Sequence, residues 1–232
     1  MSHPLLAGLA SARAAERAAA CRAAAADPAG PLLAEALVPA LADPDRGVAR
    51  AAADALVALA RASDGVLPLL RRALRSGSGE GRIHAAFALT RLEPPEPALL
   101  PALVGALDAP HGDVRWSAAR LLVEMGRLHA EVLGVLLGLT RTAERPSVRR
   151  MASFALRELA PDRPEAARAL LAATRDDDAG VRRAAVTALA GLLDPPAEVA
   201  ERLAELRRDR DAVLARLAER ALGALEHTEA PR

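Results

Sequence analysis

The chain of 232 residues contains no lysine, asparagine, glutamine or tyrosine. Cysteine, tryptophan and isoleucine occur once each, as Cys21, Trp116 and Ile83, and phenylalanine twice, as Phe87 and Phe154. A single cysteine excludes an intrachain disulfide and fits a reducing, cytoplasmic setting. Strand formers other than valine are scarce, which argues against a sheet. No uncharged run approaches the length of a membrane span. Ahead of Cys21, the charges Arg13, Glu16 and Arg17 interrupt the apolar N-terminal stretch, so it does not read as a signal-peptide core. The formal net charge is only +1, from 31 basic and 30 acidic residues. That balance excludes a global pull toward nucleic acid or an anionic membrane and leaves only local patches to consider.

What remains is 52% hydrophobic, mostly Ala, Leu and Val. Alanine and leucine are the strongest helix formers, so the composition reads as all-α. A nine-residue motif recurs six times: VARAAADAL from Val48, GRIHAAFAL from Gly81, VRWSAARLL from Val114, VRRMASFAL from Val148, VRRAAVTAL from Val181 and LARLAERAL from Leu214. The starts lie 33, 33, 34, 33 and 33 residues apart. A fixed period in this range is the signature of a solenoid. Counting from each start, position 5 is always Ala and position 9 always Leu. Positions 1, 5, 8, 9 and 12 share one stripe of a helix, so the motif is an amphipathic helix. A second apolar stretch precedes each copy, PLLAEALVPAL and AEVLGVLLGL among them, and turns such as ADPDRG and RDDDAG separate the two. Neither helix can bury its stripe alone, so neighbouring pairs must stack.

A helix pair, an Asp-bearing turn, then Val-Arg and spaced Ala and Leu resembles HEAT repeats, in particular the short bacterial kind also found in phycobilisome-lyase-like proteins. The resemblance spans about Pro31 to Leu225. It implies a right-handed α-solenoid of about six HEAT-like helix pairs, with the second helices lining a concave face. Prolines of the HEAT type in the first helix have counterparts at Pro39, Pro68 and Pro101. The resemblance also implies that Arg115, Arg149 and Arg182 bond turn aspartates, with Asp108, Asp113, Asp176 and Asp178 as partners. Copies one, two and six depart from the pattern at Ala49, Gly81 and Ala215, where looser units are expected. Residues 1–30 read as an N-terminal helical cap or degenerate repeat, 31–225 as the repeat array and 226–232 as a frayed tail.

With the stripe inward, positions 3, 7, 10 and 14 face outward. Position 3 carries Arg50, Ile83, Trp116, Arg150, Arg183 and Arg216; position 7 carries Phe87, Arg120 and Phe154; position 10 adds Arg157. All three aromatics and the one isoleucine therefore fall on the face expected to be solvated. Either these side chains tuck sideways against the next repeat, or they form an exposed apolar strip of the kind that marks a binding site. The same face is rich in Arg and poor in acids, chiefly Asp54 and Asp194, which suits an acidic peptide or another anionic ligand.

Signals for catalysis are weak. The five histidines are dispersed without metal-ligand spacing, and the paired His-Glu motifs of HEAT-type di-iron hydroxylases are absent. Asp176, Asp177 and Asp178 fit helix capping. No cofactor is implied. The expected function is a non-catalytic scaffold that binds a protein or peptide of acidic or amphipathic character through these side chains. The alternative is a DNA-binding protein resembling the HEAT-like alkylpurine DNA glycosylases, with Trp116 near Asp113 and the arginines meeting phosphates. Against it stand the shortage of stacking aromatics and the neutral charge balance.

Overall fold

The computed structural model describes residues 3–77, 79–193 and 195–228, and among these the regular structure is entirely helical. The chain forms two compact units, Met1–Gly105 and Ala106–Arg232. In the first, α1 (Pro4–Leu9) pairs with α2 (Ala14–Ala26), and α3 (Gly30–Leu37) runs through a 3-10 turn at Pro39 before α4 (Arg46–Ala62). Then come α5 (Val66–Ser76), α6 (Gly79–Thr90) and, at the unit boundary, α7 (Leu100–Ala106). The second unit contains α8 (Gly112–Leu128), α9 (Glu131–Thr142), α10 (Pro146–Leu159), α11 (Pro164–Ala173), α12 (Ala179–Leu189), α13 (Ala197–Leu206) and α14 (Ala212–Thr228). The last helix thus extends to Thr228, and the remainder of the tail lies outside the described residues.

Each unit stacks its second helices in one row: α2, α4 and α6 in the first, and α8, α10, α12 and α14 in the second. First helices form a parallel row, with α9 against α11 and α11 against α13. This is the layering of an α-solenoid. The alanines at position 5 explain why the rows can close up. Ala52, Ala85, Ala118, Ala152, Ala185 and Ala218 are all 0% exposed. Leu56, Leu122, Leu156 and Leu189 at position 9 are buried as completely. Two expectations need correction. Val57 and Val123 at position 10 are buried, so that flank of the second helix is covered by its neighbours in the stack. Ile83, expected on the open face, is also buried. Its helix sits close to the 3-10 turn, and a Cβ on Gly81 would lie 3.0 Å from that of Ala42. Gly81 therefore marks a tight approach where the missing valine suggested looseness.

The turns are built from paired aspartates. Asp45, Asp178 and Asp211 accept from the N–H of Val48, Val181 and Leu214 at 3.1, 2.9 and 3.2 Å, capping α4, α12 and α14. Two residues earlier, Asp43, Asp176 and Asp209 accept from the capping residue's own N–H. Asp176 also receives Arg149 from the preceding repeat, Nε to Oδ2 at 2.7 Å and Nη2 to Oδ1 at 2.8 Å. Arg149 Nη1 donates back to the carbonyls of Ala143 and Glu144 at 2.7 and 3.0 Å. One guanidinium thus holds the end of its own first helix and the turn of the next repeat. Arg17 does the same, with Asp43 at 2.7 and 2.9 Å and the carbonyls of Ser11 and Ala12 at 3.0 and 3.1 Å. Arg182 reaches turn aspartates through the backbone carbonyls of Asp176 and Asp177 and not through a carboxylate, and Arg115 donates to the backbone carbonyls of Ala109 and Pro110.

The arginine hydrogen bonds hold the Asp43 and Asp176 carboxyls below the ordinary carboxylate range, against the opposing effect of burial. Both groups are easier to ionise folded than unfolded. Their stabilisation is therefore complete above the unfolded pKa of about 4 and is lost as pH falls through the lower folded values. Urea unfolding followed by circular dichroism should give a stability nearly flat from pH 7 to about 5 and falling below about 4. A stability that rose on acidification through that window would contradict the assignment.

Candidate functional site

In the second unit, α8, α10 and α12 lie side by side and present their position 3 and 7 residues together. Trp116 on α8 and Phe154 on α10 meet edge to face, with ring centroids 4.4 Å apart and planes at 78°. Such a pair is favoured by the quadrupoles of the two rings. Phe154 is half-buried, but Trp116 remains 49% exposed. The guanidinium carbon of Arg157 stands 5.5 Å from the Phe154 centroid, within reach of a cation–π contact. Beside the rings is a groove of about 360 Å³, lined also by Arg115, Arg150, Met151 and Arg183. Its α12 side is formed by the short side chains of Ala184, Thr187 and Ala188.

The arginines are not equivalent. Arg115 is committed to the carbonyls of its own turn. Arg157 is paired with Glu158. Arg183 donates through Nε to an oxygen of Asp211 at 2.8 Å, and its Nη2 stands 2.8 Å from the same oxygen as an ion pair. Burial pushes the Asp211 carboxyl up, but the Leu214 N–H, Arg183 and the Val213 N–H together bring it below its ordinary value. Arg150 is exposed and, among the described residues, makes no salt bridge. Two glycines of the neighbouring repeat clear space for the long side chains. A Cβ on Gly180 would lie 3.0 Å from Arg150 Nη1, and one on Gly191 would lie 2.5 Å from Arg157 Cδ. Arg150 and Arg157 therefore extend from α10 across the two ends of α12.

The groove combines a standing aromatic edge, a polarisable Met and an excess of guanidinium groups. It suits a ligand with an apolar group and negative charge. A family model described as HEAT repeats matches residues 66–157 and again residues 133–223. The chain belongs to the HEAT-repeat family. Among solved structures, an engineered protein is similar at 24% identity, covering 95% of this chain and 67% of that one, with a TM-score of 0.47. The complex of CpcE and CpcF of phycocyanin lyase from Nostoc sp. PCC7120 is similar at 24% identity over 68% of this chain and 99% of that one, with a TM-score of 0.46. A designed armadillo repeat protein in complex with the peptide (KR)4 is similar at 19% identity over 95% and 97%, with a TM-score of 0.41. No curated protein is matched by the sequence.

Within this HEAT-repeat chain, the groove gathers Trp116, Phe154, Arg150, Arg157 and Arg183 from the residues singled out by sequence. Arg120 on α8 and Arg216 on α14 are exposed but do not line it. Ile83, Phe87 and Arg50 belong to the other unit, where Ile83 is buried, Phe87 half-buried and Arg50 exposed. Asp54 is exposed and paired with Arg91 at 2.5 Å, whereas Asp194 lies outside the described residues. Sequence reasoning missed Met151, Ala184 and Ala188, which occupy flanking or inward positions of the repeat; the signal available was their adjacency to Arg150, Arg183 and Thr187. The candidates for chemistry have structural occupations. Asp176 and Asp178 hold the turn and cap α12. Cys21 is 0% exposed, and burial pushes its thiol up, away from the reactive thiolate. Among the described residues no three His, Cys, Asp or Glu gather as a metal set, and no helix is long and apolar enough to cross a membrane.

Proposed function

We propose that this chain is a non-catalytic scaffold or adaptor that binds an acidic or amphipathic protein segment in the groove across α8, α10 and α12. The observation that carries this reading is Trp116, a large apolar side chain left half in water between guanidinium groups. Aromatic and arginine side chains at the centre of a patch supply most of the energy in protein interfaces. The groove's partners for Arg157 and Arg183 leave Arg150 as the cation most available to an incoming carboxylate.

Fluorescence anisotropy of a labelled synthetic peptide rich in Glu and containing Leu tests the reading, with a Lys-rich peptide of equal length as control. The wild-type chain should capture the first and ignore the second. Trp116→Ala should weaken capture at least tenfold, about 1.4 kcal/mol, and lower folding stability by about 1–3 kcal/mol through the lost edge contact with Phe154 and the buried half of the ring, leaving the chain folded. Equal binding of both peptides, or of neither, would remove the proposal. Binding of a DNA duplex at low ionic strength in preference to the Glu-rich peptide would favour the nucleic-acid reading instead.

A further inference from the structure

The proposed groove reading leaves open what form the acidic segment takes, and the repeat geometry supplies a measure for it. Position 3 of successive second helices carries Trp116, Arg150, Arg183 and Arg216, all in one unit and on the adjacent helices α8, α10, α12 and α14. The row therefore starts with an apolar surface and continues with three cations. Neighbouring packed helices are spaced about 8–10 Å axis to axis. An extended chain in the polyproline II form advances about 3.1 Å per residue with three residues per turn, so three residues of partner span about one repeat and return the side chain to the same side. A helical partner, rising about 1.5 Å per residue, would need six or seven residues for the same step.

We infer that the occupant is an extended peptide segment in the polyproline II form, with an apolar side chain on Trp116 and carboxylates at every third residue facing Arg150, Arg183 and Arg216. This inference rests on the reading of the groove as a site for acidic segments. Charge complementarity along the row is its argument. Arg150 and Arg216 are exposed and make no salt bridge among the described residues, and Arg183 spends both its ion-pairing nitrogens on a single oxygen of Asp211. Between these cations, Ala184 and Thr187 are short enough to let a peptide backbone lie against α12. The polyproline II form suits the site because its three residues per turn bring every third side chain to the same side, leaving the groups between the carboxylates turned to solvent.

The test uses the full chain and the emission of Trp116, which in a protein without tyrosine reports on the groove alone. Three peptides of identical composition carry one terminal Leu and three Glu among Ser residues. In one the Glu recur at every third residue, in the second at every seventh, and in the third they stand together in a block. The third-residue peptide should bind at least tenfold more tightly than either of the others and shift the Trp116 emission. Arg216→Ala should reduce its affinity to that of a shortened peptide carrying only the first two Glu. Equal affinity of all three peptides would overturn the register while leaving an acidic-segment groove intact. Preference for the seventh-residue spacing would replace the extended occupant with a helical one. Failure of every peptide would overturn the groove reading itself, and preference for a single-stranded oligonucleotide would assign the row to nucleic acid.

Discussion

Truncating Leu156 to alanine is expected to lower the unfolding free energy by about 3–4 kcal/mol. The side chain is 0% exposed on α10, whose neighbours on either side are α8 and α12. Removing its three outer carbons loses their transfer from water and leaves a cavity that helices on two flanks are not free to fill. In a stack of repeats each element is stabilised by the ones beside it, so the loss falls on the whole unit rather than on one helix. Leu222 holds the same motif position in the last repeat but is only half-buried, and its truncation should cost about half as much. Urea denaturation of the two variants checks the comparison. Equal losses at the two sites would mean that burial within the stack is not what distinguishes them.

Arg149→Ala should cost about 3 kcal/mol, because it removes two bonds to a shielded carboxylate and two to backbone carbonyls and leaves Asp176 ionised without its partner. The side chains are 14% and 12% exposed, well away from the screened condition in which an ion pair contributes little. Arg182→Ala provides the control. It donates to the carbonyls of Asp176 and Asp177 and, among the described residues, to no carboxylate, so its loss should be about 1 kcal/mol. The alanine variant at 149 should also blunt the acid sensitivity described above, since Asp176 would titrate closer to its unfolded value. If both variants lost the same stability, the carboxylate pairing would contribute nothing beyond the carbonyl bonds.

The inward stripe was legible because it depends on a period alone. Positions 5 and 9 repeat without exception, and a helix turns every such residue toward the same side. What periodicity could not supply was the depth of each helix in its surroundings. Ile83 shares its motif position with Trp116, yet one is buried and the other half in water. The difference comes from how near α6 lies to the turn at Ala42, which no count of residues reveals. The arginine bonds were legible only as a type. Arg149 makes the bonds to a turn aspartate that the HEAT resemblance implies, and Arg115 and Arg182 donate to turn carbonyls. Arg17 makes the full set from a segment that lacks the Val-Arg motif. The groove was read in part: six of its side chains come from positions 3, 7 and 10. The reach of Arg150 over Gly180 and of Arg157 over Gly191 depends on rotamers and on space in the following repeat.

The guanidinium that joins one repeat to the turn of the next has a direction. Its arginine half lies upstream and its aspartate half downstream within a single 33-residue period, since the span from Val148 to Gly180 contains both Arg149 and Asp176. A tandem copy of that span would bring its own complete pair without any further substitution. Lengthening such a chain by gene duplication thus requires no invention at the joint, whereas a cut between Arg149 and Asp176 leaves a bare charge on the fresh end.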